Sequence, residues 1–109
     1  MSYKIVTLEA FDKNLKKLNK KFPSLSIELA LLKDSLLLNP FQGKSLGKSV
    51  YKIGFAVKSK GQGKRGGLRL ITWVVIIAEQ IYLLSIYDKS QIDSISQKEI
   101  KEIISRIIK

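Results

Sequence analysis

Residues 50–88 read VYKIGFAVKSKGQGKRGGLRLITWVVIIAEQIYLLSIYD, and this stretch decides the fold. At its start, large apolar residues alternate with lysines or small residues, which indicates a strand with one buried face. Further on, a run that is apolar nearly throughout is typical of the central strand of a sheet. The predicted strands span 50–58, 68–77 and 81–87, and a tight turn at 78–80 joins the last two.

The flanking sequence predicts one more strand and three helices. Residues 3–8 are rich in β-branched residues, which favours a strand, and apolar stripes at helical spacing follow in 11–22 and 25–38. The segment around Gly43 and Gly47 is predicted to be a loop. Ser96 and Glu99 form a capping-box pattern before a last helix with an isoleucine stripe.

The element order β-α-α-β-β-β-α predicts an α+β fold. We expect a small, mostly antiparallel four-stranded sheet, with the two N-terminal helices on one face and a C-terminal helix. The other face of strand 50–58 carries lysines and small residues, so it can stay open to a ligand. With 109 residues, the chain is expected to be one domain, residues 1–109.

A long part of the chain carries positive charge alone. Residues 35–78 contain no Asp or Glu. The bases in that part are Lys44, Lys48, Lys52, Lys58, Lys60, Lys64, Arg65 and Arg69. The whole chain has a formal net charge of +11 at pH 7 and a pI near 10.0. Because like charges repel in a compact state, the cluster indicates a polyanionic partner, most commonly a phosphate backbone.

Several classes of function are disfavoured by composition. The chain has no His and no Cys, and its nine acidic residues are scattered, so neither a metal ion nor a cofactor is predicted. Residues 61–66 fit G-x-G-x-x-G, but a strand follows them where a dinucleotide site needs a helix. No apolar run approaches the roughly 18 residues of a membrane span, and no signal-peptide block opens the chain. We therefore expect a cytoplasmic protein that does not bind membranes.

Short motifs follow one another along nearly the whole chain. They are Phe11 with Leu15-Lys16-Lys17-Leu18, Leu36 with Asn39-Pro40, Gly43 with Leu46-Gly47, Tyr51-Lys52-Ile53, Gly63-Lys64 with Gly66-Gly67, Arg69-Leu70-Ile71 and Leu84-Ser85-Ile86-Tyr87-Asp88-Lys89. Their order and spacing resemble the RelE/ParE superfamily of toxins from bacterial toxin–antitoxin systems. The resemblance implies a RelE-like fold. For the ribonuclease branch, it implies metal-independent cleavage of mRNA on the ribosome, a hydrolase activity that inhibits translation. It also implies a cognate antitoxin protein as a partner and leaves open whether the complex binds operator DNA.

The resemblance also implies site residues. Lys52 resembles a sheet-face lysine of the ribonucleases, Arg69 resembles their phosphate-binding arginine, and Lys89 falls where they carry another base. Gly54 stands where these relatives commonly have a second basic residue, and no tyrosine follows Tyr87. The predicted catalytic set is Lys52, Arg69, Tyr87 and Lys89. The predicted RNA-binding set is Lys58, Lys60, Lys64 and Arg65.

The chemistry of RNA cleavage suits a site built from bases. It needs a base for the ribose 2′-hydroxyl, cations around the pentacoordinate phosphate and an acid for the departing 5′ oxygen. Crowded cations lower the pKa of a lysine, so a lysine cluster can supply both base and charge. Two alternatives stay open: a ParE-like inhibitor of gyrase, and a catalytically silent module that binds nucleic acid or an acidic partner.

Overall fold

The computed structural model describes residues 2–60, 67–92 and 94–108, which form a five-stranded mixed sheet with helices on both faces. In chain order the elements are β1 (Lys4–Thr7), α1 (Glu9–Lys21), α2 (Leu25–Leu38), β2 (Lys44–Gly47), β3 (Val50–Phe55), a 3₁₀ turn (Lys58–Lys60), β4 (Leu68–Val75), β5 (Gln80–Asp88) and α3 (Gln97–Ile107). The strand order is β1-β5-β4-β3-β2, in which β1 is parallel to β5 and the other neighbours are antiparallel. In these described ranges, none of the helices combines the length and apolar character that crossing a membrane requires.

The predicted α+β arrangement is confirmed, but the sheet has five strands rather than four. The additional strand is β2, which we predicted to be part of a loop. It pairs with β3 through a two-residue turn in which Lys48 and Ser49 have φ angles of 52° and 65°. Asn-Gly is the usual sequence signal for such a turn, and Lys-Ser does not carry it. Gly43, with a φ of 96°, directly precedes β2. Only glycine fits there, because a β-carbon would clash with the Lys52 carbonyl oxygen.

One face of the sheet packs against α1 and α2. Ile53, Leu70 and Ile86 of the sheet are buried there against Phe11 of α1 and Leu25 of α2. The predicted stripe of α2 is confirmed, and the helix ends before Asn39-Pro40, as the sequence indicates. This half of the molecule supplies most of the apolar burial. Because these side chains point toward α1 and α2, the alternate side chains of each strand point to the opposite face.

The opposite face, which we call the α3 face, is partly covered by α3. The capping box is confirmed: Ser96 Oγ accepts a hydrogen bond from the Glu99 amide at 3.1 Å, and the Ser96 amide donates to Glu99 Oε1 at 3.4 Å. Ile100 is buried in a cluster that takes Val50, Ile71, Leu84 and Tyr87 from the sheet. This face is therefore closed where α3 lies, and the opening that we predicted is confined to the remaining part of β2, β3 and β4.

Candidate functional site

The strand register brings predicted site residues together on the α3 face. Gly54, Arg69 and Tyr87 are directly opposite one another on β3, β4 and β5. In the next row of the same face, Lys44 of β2 is directly opposite Lys52 of β3. Residues that are opposite or diagonal across antiparallel strands lie within reach of one another's long side chains. We call Lys44, Lys52, Gly54 and Arg69 the basic corner.

Lys44 and Lys52 form a like-charged pair across neighbouring strands. Lys52 is half-buried and Lys44 is exposed, and neither forms an ion pair with a residue of the described ranges. Like charges directly opposite each other destabilise a sheet, so the pair favours an anion bound between them. Lys44 is absent from our predicted site because its segment was predicted to be a loop. No local pattern marks this segment as a strand, and its pairing is visible only in the structure, where Leu46 packs into the α3 cluster.

Arg69 occupies the centre of the first row. Its side chain is half-buried, and Nη1 donates a hydrogen bond to the carbonyl oxygen of Leu68 at 3.2 Å. From there the guanidinium group lies across β3 above Gly54. The planar group is thus held against the sheet next to the Lys44–Lys52 pair, and a guanidinium is well suited to bind a phosphate through two donors.

Tyr87 reaches this row because of a β-bulge in β5. Ile71 pairs with Ser85 and Thr72 pairs with Leu83, so Leu84 is the extra residue of the bulge. The bulge reverses the alternation of β5 and turns Tyr87 toward the α3 face. Without it, residue 87 would face α1 and α2.

The phenol of Tyr87 is enclosed. The residue is only 5% exposed, and its hydroxyl has no hydrogen-bond partner of ordinary geometry among the described residues. Burial raises the pKa of this hydroxyl above its ordinary value of 10.0, and the nearby Ile95 backbone and Arg69 charge offset part of the shift. The Ile95 backbone is close enough to affect the pKa without completing a hydrogen bond. This environment favours packing in the covered part of the face over direct contact with a substrate, and the catalytic role of Tyr87 stays a prediction.

The other predicted residues lie around the basic corner rather than in it. Lys89 is half-buried just past the end of β5, and its amide donates to the Gly67 carbonyl oxygen at 3.3 Å, next to the Arg69 row. Lys58 is exposed beyond the end of β3, and its amide donates to Glu28 Oε2 of α2 at 2.8 Å. It therefore lies toward the α2 side of the sheet. The predictions for the Lys60 side chain, Lys64 and Arg65 fall outside the described residues.

The corner is suited to bind a phosphodiester. A guanidinium and two ammonium groups from three strands approach one part of the surface, and no acidic residue lies on that part of β2, β3 or β4. Across residues 2–60, 67–92 and 94–108, no group of His, Cys, Asp and Glu side chains is placed to hold a metal ion. The chemistry available from the described side chains is electrostatic stabilisation and proton transfer by lysine.

Comparison with known proteins identifies the fold. No model of a known protein family matches the sequence. The structure is similar to that of the E. coli toxin RelE, solved in the free state as a mutant with two arginines replaced by alanine. The TM-score is 0.65 at 20% sequence identity, and the alignment covers 98% of this chain and 99% of that chain. The predicted RelE-like fold is thereby confirmed.

Proposed function

We propose that this chain is the toxin of a toxin–antitoxin pair and a metal-independent endoribonuclease that cleaves mRNA on the ribosome. The observation that carries the proposal is the basic corner. Arg69, Lys52 and Lys44 come from three different strands and meet on one face of a RelE-like sheet. Like charges are brought together there at a cost in stability, which a bound phosphate backbone offsets.

In the proposed reaction, the ribose 2′ oxygen attacks the adjacent phosphorus. A P–O2′ bond forms and the P–O5′ bond breaks, which leaves a cyclic phosphate on one fragment and a 5′-hydroxyl on the other. Arg69 binds the non-bridging phosphate oxygens, on which negative charge accumulates in the transition state. Lys52 lies diagonally across the strands from Arg69, and we propose that its amino group accepts the proton of the 2′-hydroxyl.

The departing 5′ oxygen needs a proton from the other side of the phosphate. Lys89 follows β5 beside Gly67, and we assign this role to its ammonium group. Tyr87 also belongs to the predicted catalytic set, but its hydroxyl is enclosed. We therefore propose that Tyr87 packs beside Arg69 on the neighbouring strand and that Lys89 contacts the substrate. The RNA contacts of Lys58, Lys60, Lys64 and Arg65 stay predictions, and a contact through Lys58 would lie toward the α2 side of the sheet.

The test is cleavage of a defined mRNA in a reconstituted translation reaction, with the new RNA ends mapped by primer extension. The wild-type protein is expected to give discrete cuts only when ribosomes translate. Arg69→Ala should reduce the cleavage rate by about 10²–10³-fold, because one preformed charge stabiliser of the transition state is lost. Lys17→Ala, which removes an exposed lysine from the outer side of α1, is the matched control and should leave the rate unchanged.

A protein that binds nucleic acid without cleaving it is the second candidate function, and two observations favour it. Gly54 provides no second base, and the Tyr87 hydroxyl is enclosed. Such a protein would bind the same mRNA with an affinity that falls in Arg69→Ala, yet leave it intact during translation. Intact mRNA together with tight, salt-sensitive binding would therefore replace the ribonuclease proposal with this one.

We propose that the predicted antitoxin partner docks on α2. Ile27, Leu31 and Leu38 are 67%, 65% and 90% exposed and lie along one side of the helix, with the exposed Asp34 on the same side between Leu31 and Leu38. The neighbouring helix α1 packs beside α2 and exposes several lysines. An apolar row beside basic residues fits an amphipathic helix with acidic flanks, and we propose that the antitoxin supplies it.

Copurification tests this surface. The chain is coexpressed with the product of the neighbouring reading frame, and the complex is isolated by a tag on that product. Ile27→Glu should abolish copurification, because it introduces a charge into the apolar row. Ile77→Glu is the matched control, since Ile77 is fully exposed in the turn between β4 and β5. Equal recovery of both variants would place the partner elsewhere.

A further inference from the structure

The position of the Arg69 guanidinium depends on the absence of a side chain at Gly54. A β-carbon on residue 54 would lie 3.1 Å from Arg69 Nη1, 3.2 Å from Cζ and 3.4 Å from Nε. Contacts of 3.0–3.4 Å are tighter than most that a β-carbon makes, so the guanidinium would have to move by a few tenths of an ångström. The guanidinium thus rests on the backbone of β3, in the space that any other residue at 54 would use.

The backbone does not explain the glycine. The described glycines with positive φ are Gly43 and Gly47, and Gly54 is not among them. Gly54 lies within the regular pairing of β3 with β4, directly opposite Arg69. Glycine weakens a strand interior because it lacks a side chain and has a flexible backbone. What distinguishes this position is the Arg69 guanidinium above it, which a β-carbon at residue 54 would displace slightly.

We propose that Gly54 is a positioning residue for Arg69. Because residue 54 has no side chain, Arg69 can lie flat across β3. Its guanidinium then serves as the second cation on this face of the sheet and binds the same phosphate as Lys52. The inference deepens the proposed function and rests on it for the identity of the phosphate as RNA. The placement of Arg69 over Gly54 is independent of whether RNA is cleaved.

Two measurements on Gly54→Ala test the inference without any cleavage. The first is the NMR resonance of the Arg69 Nε–Hε group, assigned by its loss in Arg69→Lys; the chain has only three arginines. The second is the affinity for a 2′-O-methyl RNA heptamer, which cannot be cleaved because its 2′ oxygens are blocked. Ala56→Ser is the matched control, because Ala56 is exposed and lies two residues after Gly54, just past the end of β3.

We expect Gly54→Ala to shift the Arg69 resonance and to weaken binding roughly threefold to tenfold, which corresponds to a partial loss of a charged hydrogen-bond contact. The urea midpoint of unfolding should not fall, because alanine is tolerated in a strand with ordinary φ. In an Arg69→Ala background, Gly54→Ala should have no further effect on binding. Ala56→Ser should change neither the resonance nor the affinity.

An unchanged Arg69 resonance and unchanged affinity in Gly54→Ala would overturn the inference. So would an equal loss of affinity with and without Arg69, because the glycine would then act on the strand rather than on the arginine. Failure of the wild-type protein to cut mRNA bears on the proposed function alone. The resonance shift and the double-mutant comparison decide the role of Gly54 in either case.

Discussion

The α3 face of the sheet contains two adjacent regions with opposite chemistry. Where α3 covers the sheet, Ile100 is buried against Val50, Ile71 and Leu84, and the contact is apolar. In the basic corner beside it, cations of neighbouring strands are opposite or diagonal to one another. The first region lowers the free energy of the folded state through apolar burial, whereas the second raises it through repulsion. The comparison indicates that α3 serves stability, whereas the proposed function assigns binding to the corner.

The largest expected effect lies in the covered region. Ile100→Ala should lower the free energy of unfolding by about 2–5 kcal/mol, because it removes buried methyl groups and leaves a cavity under α3. Urea denaturation measures this change. Ile108→Ala, at an exposed position near the end of the same helix, should stay within about 0.5 kcal/mol. Similar losses in the two variants would show that α3 does not hold the sheet as described.

The next effect lies in the basic corner and concerns binding. Lys44→Met should weaken binding of the uncleavable RNA heptamer by roughly threefold to tenfold and lower the slope of log affinity against log salt by about 0.7. Stability should rise slightly, because the repulsion between Lys44 and Lys52 is removed. Fluorescence anisotropy at several salt concentrations measures the slope. Lys17→Met should leave it unchanged, and an unaltered slope in Lys44→Met would exclude Lys44 from the phosphate contact.

Tyr87 lies at the border between the region under α3 and the basic corner. Its substitution should change the free energy of unfolding less than Ile100→Ala does. Tyr87→Phe should leave the free energy of unfolding unchanged or raise it by up to about 1 kcal/mol, because the removed hydroxyl is buried without a described partner. Tyr82→Phe is the matched control and should lower it by about 0.5–1.5 kcal/mol, because the Tyr82 hydroxyl donates to Gln80 Oε1 at 3.0 Å. Loss of RNA cleavage in Tyr87→Phe would instead support the predicted catalytic role.

The smallest effect near neutral pH is the titration of Tyr87, which becomes visible only in alkali. Burial raises the pKa of this hydroxyl in the folded state above 10.0, so its contribution to stability is fully present below pH 10 and is lost as pH rises through the folded pKa. Above pH 10 the wild type should therefore lose stability faster than Tyr87→Phe, by at most about 1.4 kcal/mol per pH unit. Parallel curves from urea unfolding between pH 9 and 11 would show that the phenol is not desolvated.

Much of the fold could be predicted because its signals are local. The alternation in β3 and the stripe of α3 report which face of each element is buried, and the apolar run of β4 indicates a strand covered on both faces. The strand β2 could not be predicted in this way. It is short and polar, and its turn at Lys48 and Ser49 uses positive φ angles that non-glycine residues seldom adopt. Its pairing with β3 depends on the neighbouring strand more than on its own residues.

Some residues of the candidate site could likewise be predicted from local sequence, and others could not. Lys52 and Arg69 were predicted from the motifs around them, and the register places both on one face. Lys44 was missed with its strand. The bulge at Leu84, which turns Tyr87 into the covered face, has no signature in the sequence because either alternation of β5 would read as apolar.

The sequence by itself determined the excess of positive charge, the absence of histidine and cysteine, and the order of the three helices and of every strand except β2. Only the tertiary structure decided which cations meet, that Arg69 lies across Gly54, and that the Tyr87 hydroxyl is enclosed. The physical reason is that composition and periodicity act along the chain. Cross-strand register, by contrast, is set by pairing between segments that are distant in sequence.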